Sequence, residues 1–153
     1  MNIGNALRHL ERLSEAIAAL SSSVETDPKY APARFNLGAL LADRGDLSGA
    51  ERELLKAIEI DPYIVEPSIV LADIYEAQSR FGEAETQFRR ALTIAPDHAG
   101  TLLNFGVFCF RQGRIGDAIT WYKRATSVDP GLTDAASTLL FATNFREQLN
   151  AET

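Results

Sequence analysis

The chain is expected to be all-α, built from helix hairpins that repeat in step and stack as an array. Pro28, Pro62, Pro96 and Pro130 stand on one 34-residue period. The same period relates Ala50, Ala84 and Ala118; Ala57, Ala91 and Ala125; Leu37, Leu71 and Phe105; Gly38, Ala72 and Gly106; and Leu54, Phe88 and Tyr122. A fixed period of this size marks a stacked repeat architecture. Within each period two apolar runs at helical spacing flank a short turn, so the unit is a pair of helices.

Residues 1–30 read as a partial repeat. Ile3, Gly4 and Leu7 fall under Leu37, Gly38 and Leu41, and Ala16 and Leu20 fall under Ala50 and Leu54. Its first helix therefore begins part-way along, at Met1, and is expected to fray up to about Leu10, because a short helix is marginal unless packed. Residues 31–64 form the first full repeat. Pro32 suits a helix's first turn, Leu37, Leu40 and Leu41 make the apolar stripe, Gly45 and Asp46 break it, and Ala50, Leu54, Ala57 and Ile58 make the second stripe. That helix must end before Pro62.

Residues 65–98 repeat the pattern with Leu71, Ile74 and Tyr75, a turn at Ser79 to Gly82, then Ala84, Phe88, Ala91 and Leu92. Residues 99–132 give Leu102, Phe105 and Cys109, a turn at Gln112 to Arg114, then Ala118, Tyr122 and Ala125. Residues 133–149 add a capping helix, from Ala135 to about Gln148, and residues 150–153 a polar tail expected to be mobile. No linker divides residues 1–149, so a single array is expected. Gly38, Ala72 and Gly106 are placed at the hairpin crossings, with Ala50, Ala84 and Ala118 on the facing helix. Small side chains let the axes approach, and Leu54, Phe88 and Tyr122 fill the adjacent gap.

Bulk properties bound the function. Hydrophobic content of 46% and charged content of 24% suit a folded, soluble chain. A net charge of −6 argues against a nucleic-acid surface and favours a neutral or basic partner. The single cysteine, Cys109, excludes an internal disulfide and a cysteine-based metal site. No apolar run is long enough to cross a bilayer and no secretion signal is visible, so a cytoplasmic location, without membrane attachment, is the expectation. His9 and His98 lack companions at ligand spacing, and no phosphate loop, nucleophile elbow or carboxylate pair appears. Neither a metal nor a cofactor is expected, and Cys109 reads as a buried packing residue.

These residues resemble the tetratricopeptide-repeat pattern: Leu37, Gly38, Leu41, Ala50, Leu54, Ala57 and Pro62, with their equivalents twice more. The resemblance covers Met1 to Leu132. It departs where a bulky aromatic near the start of the first helix is replaced by Arg34, Ser68 and Leu102, where Ser79 takes a turn glycine's place, and at Cys109; these substitutions are expected to loosen packing locally. The likeness implies a right-handed superhelical solenoid whose first helices line a concave groove, in which non-catalytic members bind other proteins. Some members hold a peptide's terminal carboxylate with lysines, arginine and asparagines. Here those positions are Phe35, Ala39, Val70 and Gly100, so that clamp is not expected.

The candidate groove is Phe35, Asn36, Ala39 and Asp43 from the first full repeat; Glu66, Ile69, Val70, Asp73 and Glu76 from the second; and Leu103, Asn104, Val107, Phe110 and Arg111 from the third. Asn2, Asn36 and Asn104 share a repeat position, interrupted by Val70, and asparagine amides suit gripping an extended backbone. Ile69, Val70, Leu103, Val107 and Phe110 make an apolar patch of the kind that marks a binding surface, rimmed by Asp43, Glu66, Asp73 and Glu76. The leading reading is a protein-interaction module for a peptide or helical segment. The stretch Ala135 to Phe145 is also similar to the segment joining such repeats to the catalytic region of O-linked N-acetylglucosamine transferase-like enzymes, departing at Ser137, Thr138 and Phe145. That likeness implies a substrate-recruiting arm of a larger enzyme as the alternative. A third reading is self-association through the apolar edge of the partial repeat. Lys56, Arg90 and Arg124 form a ladder near the ends of the second helices, where the macrodipole favours cations.

Overall fold

The computed structural model describes the backbone of residues 3–151 and the side chains of residues 11–148. Among these residues the regular structure is helical throughout: α1 (Ile3–Thr26), α2 (Ala31–Asp43), α3 (Leu47–Ile60), α4 (Glu66–Ala77), α5 (Phe81–Ile94), α6 (Ala99–Arg111), α7 (Ile115–Val128) and α8 (Thr133–Ala151). Residue contacts group the chain into two compact units, Met1–Gln87 and Phe88–Thr153, with the boundary inside α5.

The turns obey the repeat. Gly45 and Gly113 take positive φ of 86° and 74°, and Ser79 takes 60° at the same repeat position. Each turn closes the preceding helix with a six-residue backbone bond, Asp46 to the Leu41 carbonyl, Arg80 to Tyr75 and Arg114 to Cys109, at 2.8–2.9 Å. This is the left-handed helix stop that favours glycine. The turn after α4 is complete by Arg80, so Gly82 belongs to α5 and not to the turn, contrary to expectation. Asp46 then caps α3, its Oδ1 accepting from the Gly49 amide at 3.0 Å, and His98 Nδ1 accepts from the Thr101 amide at 3.1 Å to cap α6.

In the first unit α2 packs on α3, α1 on α2 and α3 on α4. Gly38 faces Leu54: a Cβ there would lie 2.7 Å from Leu54 Cγ and 3.3 Å from the Ala50 carbonyl. The partial repeat differs from the expectation of a separate first helix. Its residues run as one continuous α1, because the position that is left-handed at Gly45, Ser79 and Gly113 holds Glu11, which does not favour left-handed backbone. Ala16 and Leu20 are only half-buried, and Leu13 and Ile17 form the buried stripe instead. Where fraying is expected up to about Leu10, the backbone is helical from Ile3 onward; Met1 lies outside the described residues.

Positions expected to loosen the packing are filled instead. Arg34 is buried, its Nη1 donating to Glu53 Oε2 at 2.6 Å and its Nε to the Pro28 carbonyl at 2.8 Å. Burial pushes the Glu53 carboxyl up, but Arg52, Lys56 and Arg34 together outweigh it and hold it below its ordinary value. One repeat on, the same two positions are Ser68, buried, and Gln87, whose Oε1 is buried without a hydrogen-bond partner. One further on they are Leu102 and Trp121, packed in one apolar cluster with Ala125 and Ala135. An ion pair, a polar pair and an apolar pair thus occupy one site in successive repeats.

In the second unit Phe88, Phe105 and Phe108 stack with centroids 5.3–6.1 Å apart, and Trp121 lies 4.9 Å from Phe105. Gly106 faces the Tyr122 ring, and Cys109 is fully buried, its Sγ accepting from Arg114 at 3.1 Å. Helix α8 packs on α7 and continues to Ala151, beyond the expected end near Gln148, so Asn150 is helical; Glu152 and Thr153 lie outside the described residues. Leu140, 63% exposed, occupies the position of Gly38, Ala72 and Gly106. A leucine there blocks the close crossing that a return helix of the same hairpin geometry needs.

Candidate functional site

The expected groove residues lie on three helices, and each keeps exposed surface. Phe35, Asn36, Ala39 and Asp43 are on α2; Glu66, Ile69, Val70, Asp73 and Glu76 on α4; Leu103, Asn104, Val107, Phe110 and Arg111 on α6. The spacing explains this. The i, i+3, i+4 stripes of α2 and α4 are spent on their hairpin partners, so the remaining face of each helix is left to solvent.

In the first unit four of these residues come together. Ala39 and Asp43 of α2 and Val70 and Asp73 of α4 line a cleft of about 340 Å³, completed by Ala42, Leu47, Ile74 and Ala77. Its floor is apolar and largely of small residues; its charges are the two aspartates, both exposed. Phe35, Asn36, Glu66, Ile69 and Glu76 are not among its lining. A network beyond the cleft ties α3, α4 and α5: Tyr75 Oη donates to Glu51 Oε1 at 3.0 Å, and Arg80 donates to Glu51 at 2.9 Å and to Glu83 at 2.6 Å. Arg80 also stacks 4.2 Å above the Tyr75 ring. Its hydrogen bonds hold the Glu51 carboxyl below its usual range, while burial, with Glu51 alongside, pushes the Tyr75 phenol up to about 12.

In the second unit the α6 residues have company that sequence reasoning missed. Phe110 packs against Phe141 and Phe145 of α8, both at 5.7 Å, and Leu103 packs on the Leu102–Ala125–Ala135 cluster. The signal was in Ala135–Phe145, where aromatic residues four apart share a helix face. Asn36 is exposed and Asn104 half-buried, while Asn2 lies outside the described residues.

Two further hollows contain none of the groove residues. One, of about 470 Å³, is lined by Pro28, Lys29, Arg34, Lys56, Glu59 and Ile60, with Arg34 committed to Glu53. The other, of about 400 Å³, lies along Lys123, Thr126, Ala136, Leu139, Leu140 and Thr143. The basic ladder is set by pairing and not by the macrodipole. None of α3, α5 and α7 has a base in its last turn; Lys56 pairs with Glu53 at 3.6 Å and Arg124 with Asp97 at 3.1 Å. Among the described residues no helix is long and apolar enough to cross a membrane, and no group of metal-binding side chains converges.

Two family models, both described as tetratricopeptide repeat, match residues 1–63 and 67–131. No curated protein matches the sequence. The chain is similar to the crystal structure of MamA, at 22% identity and a TM-score of 0.78, covering 96% of this chain and 86% of that one. It is also similar to PilF of Pseudomonas aeruginosa, at 25% identity and a TM-score of 0.71, covering 76% and 54%. A third solved structure is the first TPR of Spaghetti (RPAP3) bound to the HSP90 peptide SRMEEVD, at 19% identity and a TM-score of 0.72, covering 79% and 96%. These likenesses show a shared fold. The chain belongs to the tetratricopeptide-repeat family.

Proposed function

We propose that this chain is a non-catalytic protein-interaction module that holds a peptide or helical segment of a partner against the open faces of its first helices. The observation that carries the reading is the α2–α4 cleft, where Ala39, Ala42, Val70 and Ala77 keep exposed surface beside two carboxylates. An apolar concavity with a few placed polar groups is what a bound segment requires. Membership of the repeat family supports a protein ligand, and one structural neighbour is seen with a peptide bound. That peptide, SRMEEVD, is acidic at its C-terminus; with Phe35, Ala39, Val70 and Gly100 at the clamp positions and aspartates in the cleft, it is not the segment this face suits.

The test is partner capture by the parent and by the variant combining Val70→Glu and Val107→Glu. Both valines are half-buried and stand outside the hairpin crossings. The variant is expected to keep its helical circular dichroism and to lose capture. Undiminished capture removes the first-helix faces from consideration.

A further inference from the structure

A second hollow of the first unit, apart from the α2–α4 cleft, has the chemistry of an anion site. It measures about 470 Å³ and is lined by Pro28 and Lys29 of the α1–α2 turn, Arg34 of α2, and Lys56, Glu59 and Ile60 of α3. Arg34 is its centre. The side chain keeps 10% of its surface, with Nε donating to the Pro28 carbonyl at 2.8 Å and Nη1 to Glu53 Oε2 at 2.6 Å. Nη2 meets no acceptor among the described residues, and unlike Gln87 Oε1 it is not sealed from solvent. A guanidinium this deeply buried ordinarily has its donors satisfied. Lys56, half-buried, stands 3.6 Å from Glu53 Oε1, an ion-pair distance too long for a hydrogen bond. Lys29 is exposed, and its ammonium enters no ion pair among the described residues. Three cations thus face two carboxylates, Glu59 in the lining and Glu53 behind Arg34, which leaves one positive charge in surplus. Arg52 pairs with Glu53 from outside the lining. The chain as a whole carries −6, so this is a local reversal of sign, felt within about 10 Å at moderate salt.

We infer that this hollow receives a carboxylate from an acidic segment of a protein partner. Its oxygens accept from Arg34 Nη2 and from the ammonium groups of Lys29 and Lys56, and its aliphatic stem lies against Pro28 and Ile60. A carboxylate balances the surplus charge of the lining, whereas a phosphate dianion exceeds it. A cationic segment meets like charge, and a neutral one leaves the cations without an ionic partner.

Fluorescein-labelled, C-terminally amidated peptides of equal length, sharing Ala/Leu flanks and differing in one central residue (Glu, Gln, Lys or phosphoserine), are titrated by fluorescence anisotropy onto the full chain. The Glu peptide is expected to bind about tenfold tighter than the Gln peptide, the worth of one charge-assisted hydrogen bond and two lysines of ordinary surface strength. The Lys peptide should be weakest. That gap should narrow in the variant combining Lys29→Gln and Lys56→Gln, and the Arg34 side-chain N–H signals in ¹⁵N NMR should shift with the Glu peptide and stay in place with the Gln peptide. Helical circular dichroism checks the fold; Lys29→Gln alone, at an exposed turn residue, keeps the test if the double variant loses helix. A Glu preference undiminished by loss of the lysines overturns the inference, as do Arg34 signals unmoved by the Glu peptide, equal or tighter binding of the Gln or Lys peptide, or failure of every peptide to bind. Tighter binding of the phosphoserine peptide than of the Glu peptide overturns the carboxylate assignment. The variant combining Val70→Glu and Val107→Glu should bind the Glu peptide as the parent does. If it loses that binding, the peptide sits on the first-helix faces, and this inference falls while the proposed function stands.

Discussion

Replacing Gly106 with alanine separates close helix crossing from helix propensity, because the two push in opposite directions. A Cβ built on Gly106 lies 2.5 Å from Tyr122 Cε1 and 2.6 Å from Cδ1. Carbon atoms are comfortable only at about 3.5–4.0 Å, so the ring must retreat by about 1 Å. Tyr122 is 2% exposed, which leaves it little freedom to move. Overpacking of this kind costs about 1–3 kcal/mol, and replacing a helical glycine by alanine returns about 1 kcal/mol. The net expectation for Gly106→Ala is a loss of about 0–2 kcal/mol, the difference of those two effects. Gly116, in α7, is the control: nothing lies within 4 Å of its Cβ position, so Gly116→Ala should be neutral or gain up to about 1 kcal/mol. Urea unfolding followed by circular dichroism compares the midpoints. In a Tyr122→Ala background the cost of Gly106→Ala should vanish, since the clashing ring is gone. If Gly106→Ala stabilises the parent as Gly116→Ala does, the hairpins do not depend on close approach and the packing argument fails.

Other perturbations test other parts of the structure. Glu53→Gln leaves Arg34 buried beside a neutral partner, with side-chain exposures of 10% for Arg34 and 7% for Glu53 in the parent; a loss of about 3 kcal/mol is expected in urea unfolding. Because the Glu53 carboxyl is depressed, its contribution is full above the ordinary value of 4.5 and is lost as pH falls through the lower folded value. The parent's acid-induced loss of stability should therefore flatten in that variant. Ser79→Gly relieves a non-glycine residue at φ 60°, and a gain of about 0.5–1 kcal/mol is expected after the added freedom of the unfolded chain is counted. Ala84→Leu forces a large side chain into a fully buried position and should lower the midpoint by about 1–3 kcal/mol equivalent; a melt matching the parent removes the assignment of Ala84 to a crossing.

Helix positions were legible because they are written repeatedly. Pro62 and Pro130 stop helices for a steric reason, and the left-handed turn at residue 45 is rewritten at 79 and 113. What was not repeated was not visible. The ion pair of Arg34 and Glu53 occurs in one repeat only and joins residues 19 apart, so no period points to it. The continuity of α1 hangs on what Glu11 is not, an absence that only comparison with Gly45 and Gly113 exposes. Of the expected groove, helical spacing places the chosen residues on outward faces, but which of them share a hollow depends on the approach of α2 to α4, which one-dimensional periodicity does not give. The rings of Phe141 and Phe145 reach Phe110 through the packing of α8, and no other repeat carries aromatic residues at those two positions to give the pattern a second reading.

The most direct measurement is methyl NMR of the full chain, titrated with a segment of a captured partner and compared with the variant combining Val70→Glu and Val107→Glu. The account predicts that the segment shifts the methyl signals of Ala39, Ala42, Val70 and Ala77 together, while those of Ala118 and Ala125 at the α7 packing positions stay in place. Shifts centred on Leu139 and Leu140 of α8, with the alanines between α2 and α4 unmoved, would contradict it.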